Sequence, residues 1–363
     1  MAGVFKCNNA AKTAVKVSLH APSERDTLPL TMGFLRTLAW FGVLALCVIR
    51  ASAQSPFAFS CAEDTHIDAA RKKAINSVAI KFIETLLGTT PSAAFGSLSK
   101  EGQVNVTGQQ LSNQAAAIVQ QFEPKNLTIQ HTYLIELKGD SPGRVVCATD
   151  LSKPDGWESL GAISVPEQAH VLMSADTRNN KLTFAVWLVP EQSGWKVQSF
   201  WMNVSSLAEK DSMQLWELAR TQQTRGHYFN AALLYAAAAQ TANRGPNFQM
   251  GIAQSISEMS KLTVPPEIQG QAPFLWKSGE TTYKVLNVGP IAVGGKIYVI
   301  LAHEVSPWQS DEQVDRWNKK LLEYVKRRFP EYSDVFAGLV ARALERGSNR
   351  GYGTVEELPT RKQ

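Results

Sequence analysis

At Pro124 the hydrophobic repeat of this chain changes period, and the change limits the folds open to it. Before it, Ile67, Ile75, Val78, Phe82, Ile83 and Leu86 recur at helical spacing as far as Gly88, behind Thr65 and Asp68, which resemble a capping box. Leu111, Ala115, Ile118, Val119 and Phe122 mark a further helix that Pro124 ends, because proline cannot supply the N–H the next turn needs. Beyond it, Leu127, Ile129, His131, Tyr133, Ile135 and Leu137 alternate with Thr128, Gln130, Thr132, Glu136 and Lys138, the pattern of a half-buried strand with one apolar face. More strands are expected at 144–149, 169–175, 182–189 and 195–204, the last two joined across Pro190–Gly194 in a loop suited to a hairpin. Helices first and strands afterwards make the expected class α+β.

The chain then changes character twice. Residues 207–263 are Ala-rich and helical, and the expected pattern is a helical hairpin followed by a helix carrying Ile252, Ile256 and Met259. Val264-Pro265-Pro266 breaks it. Residues 264–363 read as a small C-terminal α+β module with strands at 283–288 and 296–301. In that module a helix opens on Ser310 and Gln313 and stops at Pro330, a second helix runs to about Gly347, and Gly347–Gly353 is a flexible stretch.

The order of elements in 62–206, closing on the aromatic strands Phe184-Ala185-Val186-Trp187-Leu188 and Gly194 to Trp201, resembles the nuclear transport factor two-like fold. That resemblance implies a curved antiparallel sheet wrapped around a long N-terminal helix as a cone, with a cavity inside. Leu215, Leu218, Ala219, Gly226, Tyr228, Ala231, Tyr235 and Ala238 resemble a single tetratricopeptide repeat, although the family's Trp-x-x-Leu-Gly start is replaced. It implies a protein partner on the hairpin or, since one unit cannot bury its own face, docking on a neighbouring part of the chain.

A basic residue, Arg36, precedes an apolar run from Leu38 to Ile49 and then Ala51-Ser52-Ala53, the features of a cleavable export signal. The expected translation start is Met32, the mature chain starts at Gln54, and no transmembrane anchor is expected after cleavage. The expected location is periplasmic or extracellular. Removing residues 1–53 takes away six of the 37 Lys and Arg and two of the 32 Asp and Glu, leaving 31 against 30. The formal charge of +5 is therefore mostly the leader's, and with basic runs confined to Lys319-Lys320 and Lys326-Arg327-Arg328, a nucleic-acid partner is not expected. Of four cysteines, Cys7 and Cys47 fall in or before the leader. Cys61 and Cys147 would most simply pair in an oxidising compartment, two separate buried thiols being the alternative.

Catalytic spacings are sparse. Ser97 and Lys100 have the Ser-x-x-Lys spacing of penicillin-recognising enzymes and Lys277-Ser278-Gly279 resembles their later element, but Glu101-Gly102 interrupts the helix that chemistry requires. His303-Glu304 lacks the second imidazole of a zinc-protease helix, with Pro307 in its place. The other mature histidines, His66, His131, His170 and His227, are scattered, so no metal site and no cofactor is expected. The leading expectation is an exported, non-catalytic binding or scaffold protein of the cell envelope, taking a protein or a small apolar ligand in the cone. The alternative is a cavity enzyme of isomerase or dehydratase type, with His131 as base, Tyr133 as proton donor, and Trp187 and Trp201 as cavity walls.

Overall fold

The structure, a computed structural model, describes residues 58–261 and 264–358. The leader, its Ala51-Ser52-Ala53 site, Met32, Cys7 and Cys47 lie outside the described residues. The chain is α+β. It begins with β1 (Ala58–Glu63), a 3-10 turn (Asp64–His66), α1 (Ala69–Leu87), α2 (Lys100–Asn105) and α3 (Gly108–Phe122). There follow β2 (Lys125–Lys138), β3 (Arg144–Ala148), β4 (Trp157–Gly161), β5 (Glu167–Asp176), β6 (Lys181–Glu191) and β7 (Gly194–Val204). The helices begin where their caps place them. Asp68 accepts from the Arg71 N–H at the start of α1, and Thr107 with Gln110 forms a capping box at the start of α3.

Five strands form an antiparallel sheet in the order β1-β2-β5-β6-β7. One face is filled by α1, whose Ile75, Ala79, Phe82, Ile83 and Leu86 are fully buried in one core with Leu134, Val171, Met173, Phe184, Val186 and Leu188 of the sheet. The space that a ligand-binding cone would keep open is here occupied by helix side chains. The opposite face is covered by a small sheet in the order β3-β4-β8, where β8 is Phe248–Met250, and its core joins Tyr133, Ile135 and Leu137 to Val145, Cys147, Leu160 and Phe248.

The alternation along β2 does not run through unbroken. The pairing with β5 slips between Ile129 and His131, so Gln130 is an extra residue on β2. With a side-chain period of two, one extra residue exchanges the faces. Leu127 and Ile129 pack on the α1 side, but after the bulge it is Thr132 and Leu134 that face the helix, the Thr132 hydroxyl donating to Asn76 Oδ1 at 2.8 Å. His131 and Tyr133 therefore lie on the side away from α1, and the expectation that they point into the cone is corrected.

The remaining elements are α4 (Ser212–Thr224), α5 (Tyr228–Ala242), α6 (Gly251–Lys261), β9 (Phe274–Ser278), β10 (Thr281–Val293), β11 (Lys296–Val305), α7 (Asp311–Arg328), β12 (Gly338–Glu345) and β13 (Gly351–Glu357). The turn between α4 and α5 places Gly226 at φ +78°, a conformation that a Cβ would strain. The second large sheet runs β13-β12-β11-β10-β9, with β11 and β12 parallel across the α7 crossover. The helix expected up to Gly347 is strand β12 instead. Leu339, Ala341 and Ala343 are buried on alternate residues, and an Ala-rich segment chosen for close packing on α7 reads as helical by composition alone. The stretch expected to be flexible contains a turn at Gly347 and the start of β13.

Nearly every side of α5 is buried, and Leu215, Ala219, Phe229, Leu234 and Tyr235 share one core with Ile252 and Ile256 of α6 and with Trp276, Val285, Val299 and Leu321. That core crosses the 263/264 boundary of the sequence reading, so the hairpin's apolar face is spent within the chain. Among the described residues, no helix is long and apolar enough to cross a membrane.

Candidate functional site

Asp64 sits just past the end of β1 at φ +46°, a left-handed conformation that aspartate tolerates better than most side chains. The turn lays its carboxylate across the neighbouring strand. Oδ1 accepts from the Thr132 N–H at 3.1 Å and from Lys72 Nζ at 3.0 Å, and Oδ2 lies 3.1 Å from Nδ1 of His131. Glu63, the last residue of β1, brings Oε1 to 2.9 Å from the same nitrogen. Burial works against ionisation of Asp64, but the Lys72 ammonium, the Thr132 N–H and the nearby His131 together hold its carboxyl below the usual range. The His131 side chain is 49% exposed, so one edge of this corner is open to water.

Beneath it, Tyr133 is buried with its ring 5.7 Å from Phe248 and 6.1 Å from His131. Burial pushes the phenol's pKa up, and the nearby carboxylates of Glu158 and Glu63 push it further. Glu158 enters from β4. Burial first, and then the charge of Glu63, raise its carboxyl to about 7, against the opposing pull of His131 and of the Tyr133 hydroxyl. The small sheet that carries Glu158 is fastened over this corner by the disulfide Cys61–Cys147, with Cα atoms 5.7 Å apart, which ties β1 to β3.

The structure thus brings His131 and Tyr133 together, and adds Glu63, Asp64 and Glu158, which the sequence reading did not select. Glu63 and Asp64 are adjacent acids ahead of a helix cap, a visible signal, but the pairing of Glu63 with Tyr133 across strands is long-range. Trp187 and Trp201 do not line the corner. Trp187 is 7% exposed, stacked on His170 at 5.2 Å, and donates from Nε1 to Gln168 Oε1 at 3.1 Å. Trp201 lies against Gly245, where an added Cβ would fall 2.4 Å from its Cγ. Ser97 ends a 3-10 turn, and Ser99 caps α2 and donates to Gln198 Oε1. His303 is buried against Asn318 Oδ1 at 2.6 Å, and His227 pairs with Asp334.

His170 is fully enclosed, its Nε2 against the Gly161 carbonyl at 2.8 Å, and burial draws its pKa from 6.5 down to about 4. The unfolded chain takes a proton on this ring near pH 6.5 while the folded chain refuses it until about 4. The contribution is therefore whole above pH 6.5 and is lost as the pH falls to about 4, a loss of about 3 kcal/mol. Urea unfolding of the protein and of His170→Gln across this range should show the wild type losing more, by about that amount. Parallel curves would mean that the ring ionises freely in the folded chain.

In comparisons with known proteins, no family model, no curated protein and no solved structure matches this chain.

Proposed function

We propose that this is an exported binding protein of the cell envelope and that the Glu63, Asp64 and His131 corner takes a divalent cation. The observation that carries the reading is the convergence of one ligand atom from each within 4.8 Å, with Nδ1 at 2.9 and 3.1 Å from the two carboxylates. Adjacent ligands of an octahedral ion with bonds of about 2.1 Å stand about 3 Å apart, so only small side-chain movements are needed to admit one. Two carboxylates and an imidazole suit a hard or intermediate ion, and the open edge leaves its other positions to water. Lys72 keeps the second oxygen of Asp64 occupied and its orientation fixed.

Export is supported by the disulfide, a bond that oxidising compartments maintain. The packing of α1 on the five-stranded sheet supports the likeness to the nuclear transport factor two-like cone, and the antiparallel α4–α5 pair supports the likeness to a tetratricopeptide unit. Calorimetric titration with MnCl2, MgCl2 and CaCl2 tests the cation. At least one should bind and raise the unfolding free energy by about 2.7 kcal/mol at a hundredfold excess over Kd. Asp64→Asn and Glu63→Gln should each weaken binding about tenfold or more. No heat and no stabilisation at about 10 mM of any of the three would end the reading.

A second reading is favoured by the tie between Nδ1 and the carboxylates, which leaves the other edge of the half-exposed ring to act as a base, with Glu158, whose carboxyl is raised to about 7, in the range of its charge. That is an acid–base pair of the isomerase or dehydratase kind. Turnover that survives EDTA and vanishes in His131→Ala would favour it over cation binding.

A further inference from the structure

We propose that the cleft where α5, β8 and α6 meet binds a small organic anion, a carboxylate or phosphate carried on an apolar body. The cleft holds about 380 Å³ and is separate from the Glu63 corner. Ala242, Phe248, Met250 and Ala253 give it an apolar lining, while Arg144 and Arg244 contribute two guanidinium groups and no Asp or Glu lines it.

Arg244 carries the argument. It is 9% exposed, and its Nη1 donates to the carbonyls of Thr241 and Asn243, closing the last turn of α5. A guanidinium has five N–H groups, and among the described residues neither Nε nor Nη2 has a protein acceptor and no carboxylate forms an ion pair with the group. Burial lowers its pKa to about 10, and Asp211 opposes this only through its charge. A buried cation without a counter-ion is costly, and an anion in the cleft removes that cost.

Two further features have the same sign. Arg144 is held at the rim by bonds from Nε and Nη2 to Ser159 and from Nη1 to the Pro246 carbonyl, so its charge is fixed there. The first turn of α6 contributes Ala253 to the wall and carries no acidic residue, which leaves the positive end of the helix dipole unopposed. The negative end of α5 is the part that Arg244 covers.

The probes are benzoate, phenyl phosphate and the neutral isostere benzamide, titrated calorimetrically into the full-length protein. At least one anion should bind with Kd between about 10 μM and 1 mM, and benzamide about tenfold more weakly or worse. The benzoate and phenyl phosphate arms distinguish a carboxylate from a phosphate ligand. Arg244→Gln should weaken binding about tenfold or more. Ala239→Glu, on the exposed side of the same wall, should do so without touching the bonds of Arg244, and it decides the matter if Arg244→Gln does not fold. Glu63→Gln should bind the anion as the wild type does, which keeps this site distinct from the cation corner. The proposal is overturned if neither anion binds at about 10 mM, if benzamide binds equally well, or if Ala239→Glu keeps full affinity.

Discussion

Replacing Cys61 and Cys147 together by alanine is expected to lower the unfolding free energy by about 4 kcal/mol. The bond joins residues 86 apart in sequence, and a cross-link closing so long a loop removes much of the freedom of the unfolded chain. The native state loses something too. Cys147 is buried in the core that covers the outer face of the first sheet, and β3 holds β4, with Glu158, against the Tyr133 side. The double variant should therefore unfold at lower urea, and its amides in 144–161 should exchange faster than those of α1. A loss below about 1 kcal/mol, with exchange unchanged, would mean that the small sheet stays seated by packing alone.

Phe82→Ala is expected to cost about 3 to 5 kcal/mol, the range for emptying a fully enclosed aromatic position. Phe82 has no exposed surface, and its ring meets Phe200 of β7 edge to face at 5.1 Å, so the truncated side chain leaves both the helix-facing side of the sheet and an aromatic partner without contact. The vacated space would be apolar and enclosed. The measurement is again urea unfolding, with an unchanged slope to show that the loss lies in the folded state. A cost below about 1 kcal/mol would mean that α1 does not fill the face on which the whole reading of the first sheet rests.

Much of this architecture was legible from local rules. The change of period at Pro124, the helix cap at Ser310, and the hairpin between β6 and β7 are all set by neighbours a few residues apart, and the structure has them, whereas the capping box expected from Thr65 and Asp68 is not formed, since Thr65 lies in the 3-10 turn and Asp68 is itself the cap of α1. The pairing of Cys61 with Cys147 followed from their being the two cysteines beyond the expected leader. What was not legible depends on contacts between distant segments. Gln130 looks like any polar residue of a strand, yet as a bulge it turns His131 and Tyr133 away from α1. The six-residue β1 is too short to show a pattern and is fixed by its register with β2. Glu158 lies 27 residues beyond His131 on a strand with no alternation to mark it, so its approach to Tyr133 comes from the β3–β4 fold-back. Gly338 to Glu345 has the composition of a helix, and its pairing with β11 and β13 makes it a strand.

The cation corner is tested most directly by diffraction from crystals soaked in MnCl2 with data collected to maximise anomalous scattering. A manganese peak is expected about 2.1 to 2.3 Å from a carboxylate oxygen of Glu63, Oδ2 of Asp64 and Nδ1 of His131, with Lys72 still on Oδ1 of Asp64. A map without a peak there at saturating manganese, with His131 still bonded to both carboxylates, would contradict it.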